Sequence, residues 1–144
     1  MIKKYVLAFA FDKAGDKVVL VVKDRPEWQK GKINGVGGKV EDCDNYPSEA
    51  MSREFYEETG VAIDCFESFG SMEFLNDVLG GKAIVYLFRA FTDKIYSCKT
   101  KESEEIVILS VEQALKSKNI IPNLQYLIPM LRDKSLKSSN IVYK

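Results

Sequence analysis

The chain holds 144 residues, with 21 basic and 21 acidic side chains, 46% hydrophobic content and no histidine. That length suits one domain with a core of its own, and the composition is that of an ordered globular chain. Balanced charge speaks against a nucleic-acid polymer as partner, because affinity for such strands comes mostly from a positive surface; the missing histidine removes imidazole-based hydrolases and most zinc enzymes.

Residues 5–11 are β-rich, residues 12–16 (DKAGD) read as a turn and residues 18–22 as a second strand, which together predict a hairpin. Residues 23–32 form a polar loop containing Pro26 and Gly31, followed by a short extended piece at 33–36 that runs into Gly37-Gly38. Residues 48–58 carry good helix formers with no interior Gly or Pro. Met51, Phe55 and Ala50 lie on one side, and Gly60 is a natural stop. Strand-like pieces occupy 61–74, a turn is expected at 76–81, and a strong strand follows at 83–91. Residues 106–111 predict another strand and 112–117 a helical stretch. The last helix is expected at 123–132, where Leu124, Leu127, Ile128 and Leu131 share one face and Pro129 should kink or shorten it.

Residues 134–144 read as a polar tail with order expected only near 141–143, so the domain is expected to span 1–134 and the tail 135–144. Several strands with a central and a C-terminal helix predict the α/β class, a mixed β-sheet sandwiched between helices. No apolar run approaches the ~20 residues of a membrane helix, so no membrane partner is expected. Cys43, Cys65 and Cys98 form no CxxC pair, and no leader-like segment stands out. A reducing, cytoplasmic setting is the expectation.

Within the predicted central helix, Glu54, Glu57 and Glu58 stand at i, i+3 and i+4 and stack on one face. Each exposed like-charge pair so placed costs about 0.2–0.5 kcal/mol, and negative charge near a helix C-terminus opposes the macrodipole. Arg53 offsets only part of this. A hard divalent cation would offset far more, since Mg²⁺ favours carboxylates together with substrate phosphates; the plain alternative is a solvated charged face.

The run of a glycine pair, an acidic loop, then Arg53-Glu54-Phe55-x-Glu57-Glu58-x-Gly60-Val61 resembles the Nudix box of the Nudix hydrolase superfamily, with Gly38 as its first glycine. Phe55 replaces the usual aliphatic residue. The segment between Gly38 and Arg53 is one residue longer than the family pattern. With Pro47 aligned, the extra residue falls near Asn45 and Asp44 takes the place of the first glutamate.

The resemblance implies an α/β/α Nudix fold in which Glu54, Glu57 and Glu58 bind Mg²⁺, with Mn²⁺ as an alternative, assisted by the carbonyl of Gly37 or Gly38. Arg53 would hold the glutamates in register. The segment Asn34-Gly35-Val36-Gly37-Gly38-Lys39-Val40 is similar to that of MutT-like 8-oxo-purine nucleotide hydrolases, which implies base recognition by Asn34; an Asn before Gly is also a common turn former. Residues 122–129 (PNLQYLIP) resemble the base-gripping segment of the same relatives, with Ile121, Asn123 and Leu124 where the tryptophan and two aspartates stand. The ring and the carboxylates are gone there, leaving Asn123 as a possible base contact.

Trp28 is a candidate stacking platform or packs under its loop. Lys23, Arg25 and Lys39 are candidate phosphate contacts, or solvated lysines and arginine. Glu104 and Glu105, in an acidic loop before a strand, are candidates to deprotonate the water or bind another metal. The implied reaction is metal-dependent hydrolysis of a nucleoside triphosphate to monophosphate and pyrophosphate. Alternatives are hydrolysis of ADP-ribose or another nucleoside diphosphate conjugate, and a nucleotide sensor with little activity. The expected partner is a small-molecule nucleotide, with the protein acting as monomer or homodimer.

Overall fold

The computed structural model of the protein describes residues 2–76 and 81–144. Its centre is β1 (Ile2–Phe11), which lies parallel to β6 (Lys82–Phe91) along its full length, from Ile2 opposite Lys82 to Phe11 opposite Phe91. On its other side the middle of β1, residues 5–8, pairs antiparallel with β4 (Val36–Lys39). Outward from β6 come β5 (Glu67–Phe74), antiparallel, and β8 (Ser139–Tyr143), parallel to β5.

β2 (Lys17–Val22) meets β1 only where Val18 faces Phe11. The hairpin expected from the sequence is therefore a turn from which the two strands part. Asp12 caps that turn, accepting from the backbone N–H groups of Asp16 and Lys17. β2 then pairs along its length with β7 (Glu105–Ser110), and at Val21-Val22 with β3 (Ile33–Asn34). Residues 77–80 of the expected turn lie outside the described residues.

Alternation along β1 divides the core in two. Val6, Ala8 and Ala10 face α1 (Pro47–Thr59) through Ala50, Met51 and Phe55. Leu7, Phe9 and Phe11 face the opposite side, where α2 (Val111–Lys116) and α3 (Leu124–Arg132) contribute Ala114, Leu124, Leu127, Ile128 and Leu131. Period-2 side chains on one strand thus produce two helical layers, the expected sandwich.

α1 begins with Pro47 in its first turn, where a missing N–H costs nothing, and ends at Gly60, whose φ of 75° is a left-handed cap. α3 runs three residues past Pro129, so the proline does not stop it. α2 carries a reciprocal cap in which Ser110 accepts from the Gln113 N–H and the Gln113 side chain accepts from the Ser110 N–H.

The polar tail is the largest departure from the sequence reading, because residues 139–143 form β8. Arg89, only 2% exposed, donates to the carbonyls of Leu131, Asp133 and Leu136, and so fixes the chain between α3 and β8. Phe74 and Tyr143 then stack with centroids 4.6 Å apart. Gly70 permits the seam: at its φ of 145°, a Cβ would overlap the Ser139 carbonyl oxygen. Among the described residues no helix is long and apolar enough to cross a membrane.

Candidate functional site

The acidic face of α1 leans on the glycine strand β4. A Cβ on Gly37 would enter the Val6 carbonyl, and one on Gly38 would enter the carboxyl group of Glu54. The two glycines are therefore required by contact: β1 approaches one and the helix carboxylate rests on the other.

Arg53 organises the acids. Its Nη2 and Nε donate to the two Asp44 oxygens at 2.8 and 3.1 Å, in a bidentate pair. Nη1 donates to Glu54 at 3.0 Å and reaches Glu57 at 3.4 Å, while Nη2 also donates to the Lys39 carbonyl at 3.2 Å. The Asp44 carboxyl is held below its ordinary range, first by Arg53 and further by the Glu41 N–H. Asp44, in the place of the motif's first glutamate, thus clamps Arg53. The additional residue near Asn45 is absorbed by a turn in which Asp44 N–H donates to Glu41 O and Asn45 N–H donates to the Glu49 carboxylate.

Glu54 and Glu58 are both shifted upward, chiefly by burial. Glu58 is pushed up to about 7, with Glu54, Glu104 and Glu102 adding repulsion and Lys23 opposing it. Its Oε2 is buried without a hydrogen-bond partner. Arg53 draws Glu54 and Glu57 toward itself, and among the described residues no three potential ligands stand together as a ready-made metal set. The donor chemistry nevertheless fits a hard cation: all-oxygen ligands on one helix face, one of them buried and unpartnered, beside backbone that approaches closely at Gly38. Glu54, Glu57 and Glu58, with a carbonyl of Gly37 or Gly38, are the residues that would hold it.

The sequence profile described as the NUDIX domain matches residues 1–131. The chain belongs to the NUDIX family. Among solved structures it resembles the MutT protein of Bacillus halodurans, at 17% identity and TM-score 0.73, covering 99% of this chain and 90% of that one. The NUDIX domain of Shewanella oneidensis NrtR, solved with ADP ribose, is similar at 19% identity and TM-score 0.71, covering 90% and 84%. MutT of Methanosarcina mazei Go1 follows at 22% identity and TM-score 0.67, covering 89% and 91%. No curated protein sequence matches the chain. With the family shown, and the box arginine and its three glutamates in place, the protein is a Nudix pyrophosphohydrolase.

The remaining candidates of this Nudix domain fall into two groups. Asn34 and Asn123 are brought into one neighbourhood, because Ile33 N–H donates to Asn119 O and Ile121 N–H donates to Ile33 O. Asn34 accepts from the Gly35 N–H at 2.8 Å and donates to Gln29 at 3.3 Å, so its side chain serves the turn in this structure. Asn123 precedes α3, and its Oδ1 is buried without a partner. Beside it is the Tyr143 hydroxyl, also buried, with the Asn123 side chain as its polar neighbour, on the ring that stacks on Phe74. Sequence reasoning missed Tyr143 because it lies in the apparent tail; its only local signal was the 141–143 run.

The second group lies on the 23–32 loop, at the end of β4 and around the start of β7. Lys23 and Glu104 form an ion pair at 3.0 Å, and both bear on the Glu58 charge. Arg25 and Trp28 stand on the adjoining loop, Trp28 being 61% exposed, so the packing alternative for the indole is corrected. Lys39 is exposed at the end of β4. Glu105 opens β7 with its side chain exposed, and it is not among the leading charges acting on Glu58. Glu102 is, and sequence reasoning passed over it.

Proposed function

We propose that the protein hydrolyses a nucleoside triphosphate, with divalent-metal assistance, to nucleoside monophosphate and pyrophosphate. The observation that carries the phosphoanhydride chemistry is the buried, unpartnered Oε2 of Glu58 next to a Glu54 carboxylate clamped by Arg53. A buried acid without a donor is costly, and an oxygen-ligand cation shared with a polyphosphate would relieve it. A bound divalent cation supplies charge neutralisation and a more acidic water.

The protein's own residues do the rest. Arg53 keeps Glu54 and Glu57 in register, so ligation does not have to order them. Water attacks one phosphorus of the chain, the bridging P–O bond breaks, and the departing phosphate takes the electron pair. The water's proton passes to a carboxylate. We assign this acceptor to Glu102, whose charge bears on Glu58 and whose neighbour Lys101 donates its N–H to the Glu58 carbonyl, in preference to Glu104, which is paired with Lys23. Asn123, Tyr143 and Phe74 offer a polar edge and a ring wall suited to a base, with Asn34 nearby. Lys23, Arg25, Lys39 and Trp28 supply cations and one exposed ring for the remainder of the ligand.

The similarity of the 34–40 segment to MutT-like sanitisers supports a triphosphate, oxidised or not. A second reading, hydrolysis of ADP-ribose or a related conjugate, draws on the likeness to the NrtR domain solved with ADP ribose. The deciding experiment is a Mg²⁺-supplemented panel of canonical and oxidised triphosphates, ADP-ribose and dinucleoside polyphosphates, with products identified. Pyrophosphate from triphosphates supports the first reading. Turnover confined to ADP-ribose replaces it with the second, and tight nucleotide binding without turnover indicates a sensor.

A further inference from the structure

Glu104 differs from the exposed residues 101–103 before it, being only 7% exposed. Three donors from a single distant segment meet its carboxylate. Lys23 Nζ donates to Oε1 at 3.0 Å, and the backbone N–H groups of Asp24 and Arg25 donate to Oε2 at 2.7 and 3.4 Å. A carboxylate receiving an ammonium and two amides is held in place as an acceptor.

The same segment is closed at its base, where Lys23 N–H donates to Lys32 O and Gly31 N–H donates to Lys23 O, both at 2.8 Å. Gln29, in the short helical turn Glu27–Gln29, receives the Asn34 amide. The loop is thus tied at its first residues by Glu104 and near its far end by Asn34. Arg25, at the first tie, and Trp28, between the two, are exposed, on a loop whose first residue carries a charge that bears on Glu58.

We infer that Glu104 is a positioning residue: it fixes Lys23 and the start of the 23–32 loop, so that Arg25 and Trp28 stand preorganised to receive the non-reacting part of the nucleotide. A loop ordered in advance spares the ligand the cost of ordering it, which is expressed in KM more than in kcat. The kinetic consequence rests on the nucleotide-hydrolase reading. The loop anchoring does not, and the two are separable because Trp28 is the only tryptophan of the chain.

The test compares Glu104→Ala and Glu104→Gln by time-resolved Trp28 anisotropy, by thermal melting, and by steady-state kinetics on the best substrate of the panel with Mg²⁺. The amide of Gln retains an oxygen for the Asp24 N–H. Expected for Glu104→Ala are faster local motion of Trp28 and a KM raised about 10-fold with kcat within about 3-fold. Glu104→Gln should recover most of both readouts. A loss of kcat of about 100-fold or more in Glu104→Gln, with Trp28 anisotropy unchanged, would make Glu104 a proton acceptor or metal ligand and overturn the inference. So would unchanged Trp28 motion and KM in Glu104→Ala. If the alanine variant does not fold, Glu104→Gln decides alone through the same split. If no nucleotide is turned over, the anisotropy arm still stands or falls by itself.

Discussion

Arg53 and Arg89 perform opposite tasks on opposite layers of the molecule. Arg89 is buried and spends its guanidinium mainly on carbonyl oxygens of Leu131, Asp133 and Leu136, with one carboxylate partner in Glu67. Arg53 is partly exposed and spends most of its donors on the carboxylates of Asp44, Glu54 and Glu57. The first fixes where the backbone goes; the second fixes where negative charge stands. The lesson is that one side chain type stabilises a fold when its partners are neutral and buried, and prepares a site when its partners are acids that it cannot fully neutralise.

The largest effect should come from the structural arginine. Arg89→Met leaves three carbonyls short of a donor and should cost about 3–4 kcal/mol, read as a lowered urea midpoint. An unchanged midpoint would dissolve the contrast, since it would make Arg89 as dispensable as a surface cation. On the site layer, Glu57→Gln should preserve the midpoint while lowering kcat by about 100-fold or more, roughly 2.7 kcal/mol in barrier. Arg53→Lys keeps the charge but loses the bidentate fork. It should reduce kcat about 10-fold with a smaller change in stability, and a variant hit harder in stability than in rate would blur the division.

The smallest effect is a gain. The Glu58 carboxyl binds its proton more tightly folded than unfolded, so in metal-free protein its contribution is unpenalised below about pH 4.5. Stability is lost as pH rises toward about 7 and stays lost above it. Metal-free Glu58→Gln should therefore match the wild type near pH 4 and exceed it at pH 8, by about 1 kcal/mol after allowance for partial solvent screening. Parallel denaturation curves at the two pH values check the sign. Added Mg²⁺ should narrow the gap at pH 8 by stabilising the wild type alone.

What could be read from the sequence depended on how local the cause was. α1 was legible to within a residue at either end, since Gly60, Pro47 and the spacing of Met51 and Phe55 all act within the helix. The motif put Asp44 in the place of its first glutamate, but the bidentate pairing with Arg53 is visible only in the fold. β8 was not legible, because its place depends on Arg89, some fifty residues earlier in the chain, and on a missing side chain at Gly70. The parting of β1 and β2 depends on the later strands β3 and β4, since β4 pairs with residues 5–8 of β1 and β3 with Val21-Val22 of β2. The engagement of Glu104 was equally hidden: its donors lie about eighty positions away, and nothing in its acidic neighbours marks it as the buried member.

Gly70 gives the experimenter a handle on that last strand. A single methyl at position 70 meets the Ser139 backbone first, so Gly70→Ala acts as a wedge. It should pry the terminal ribbon off its neighbour while leaving the acidic helix and its clamp untouched, and so uncover whether Tyr143 is a wall of the nucleotide chamber or merely a lining for the sheet.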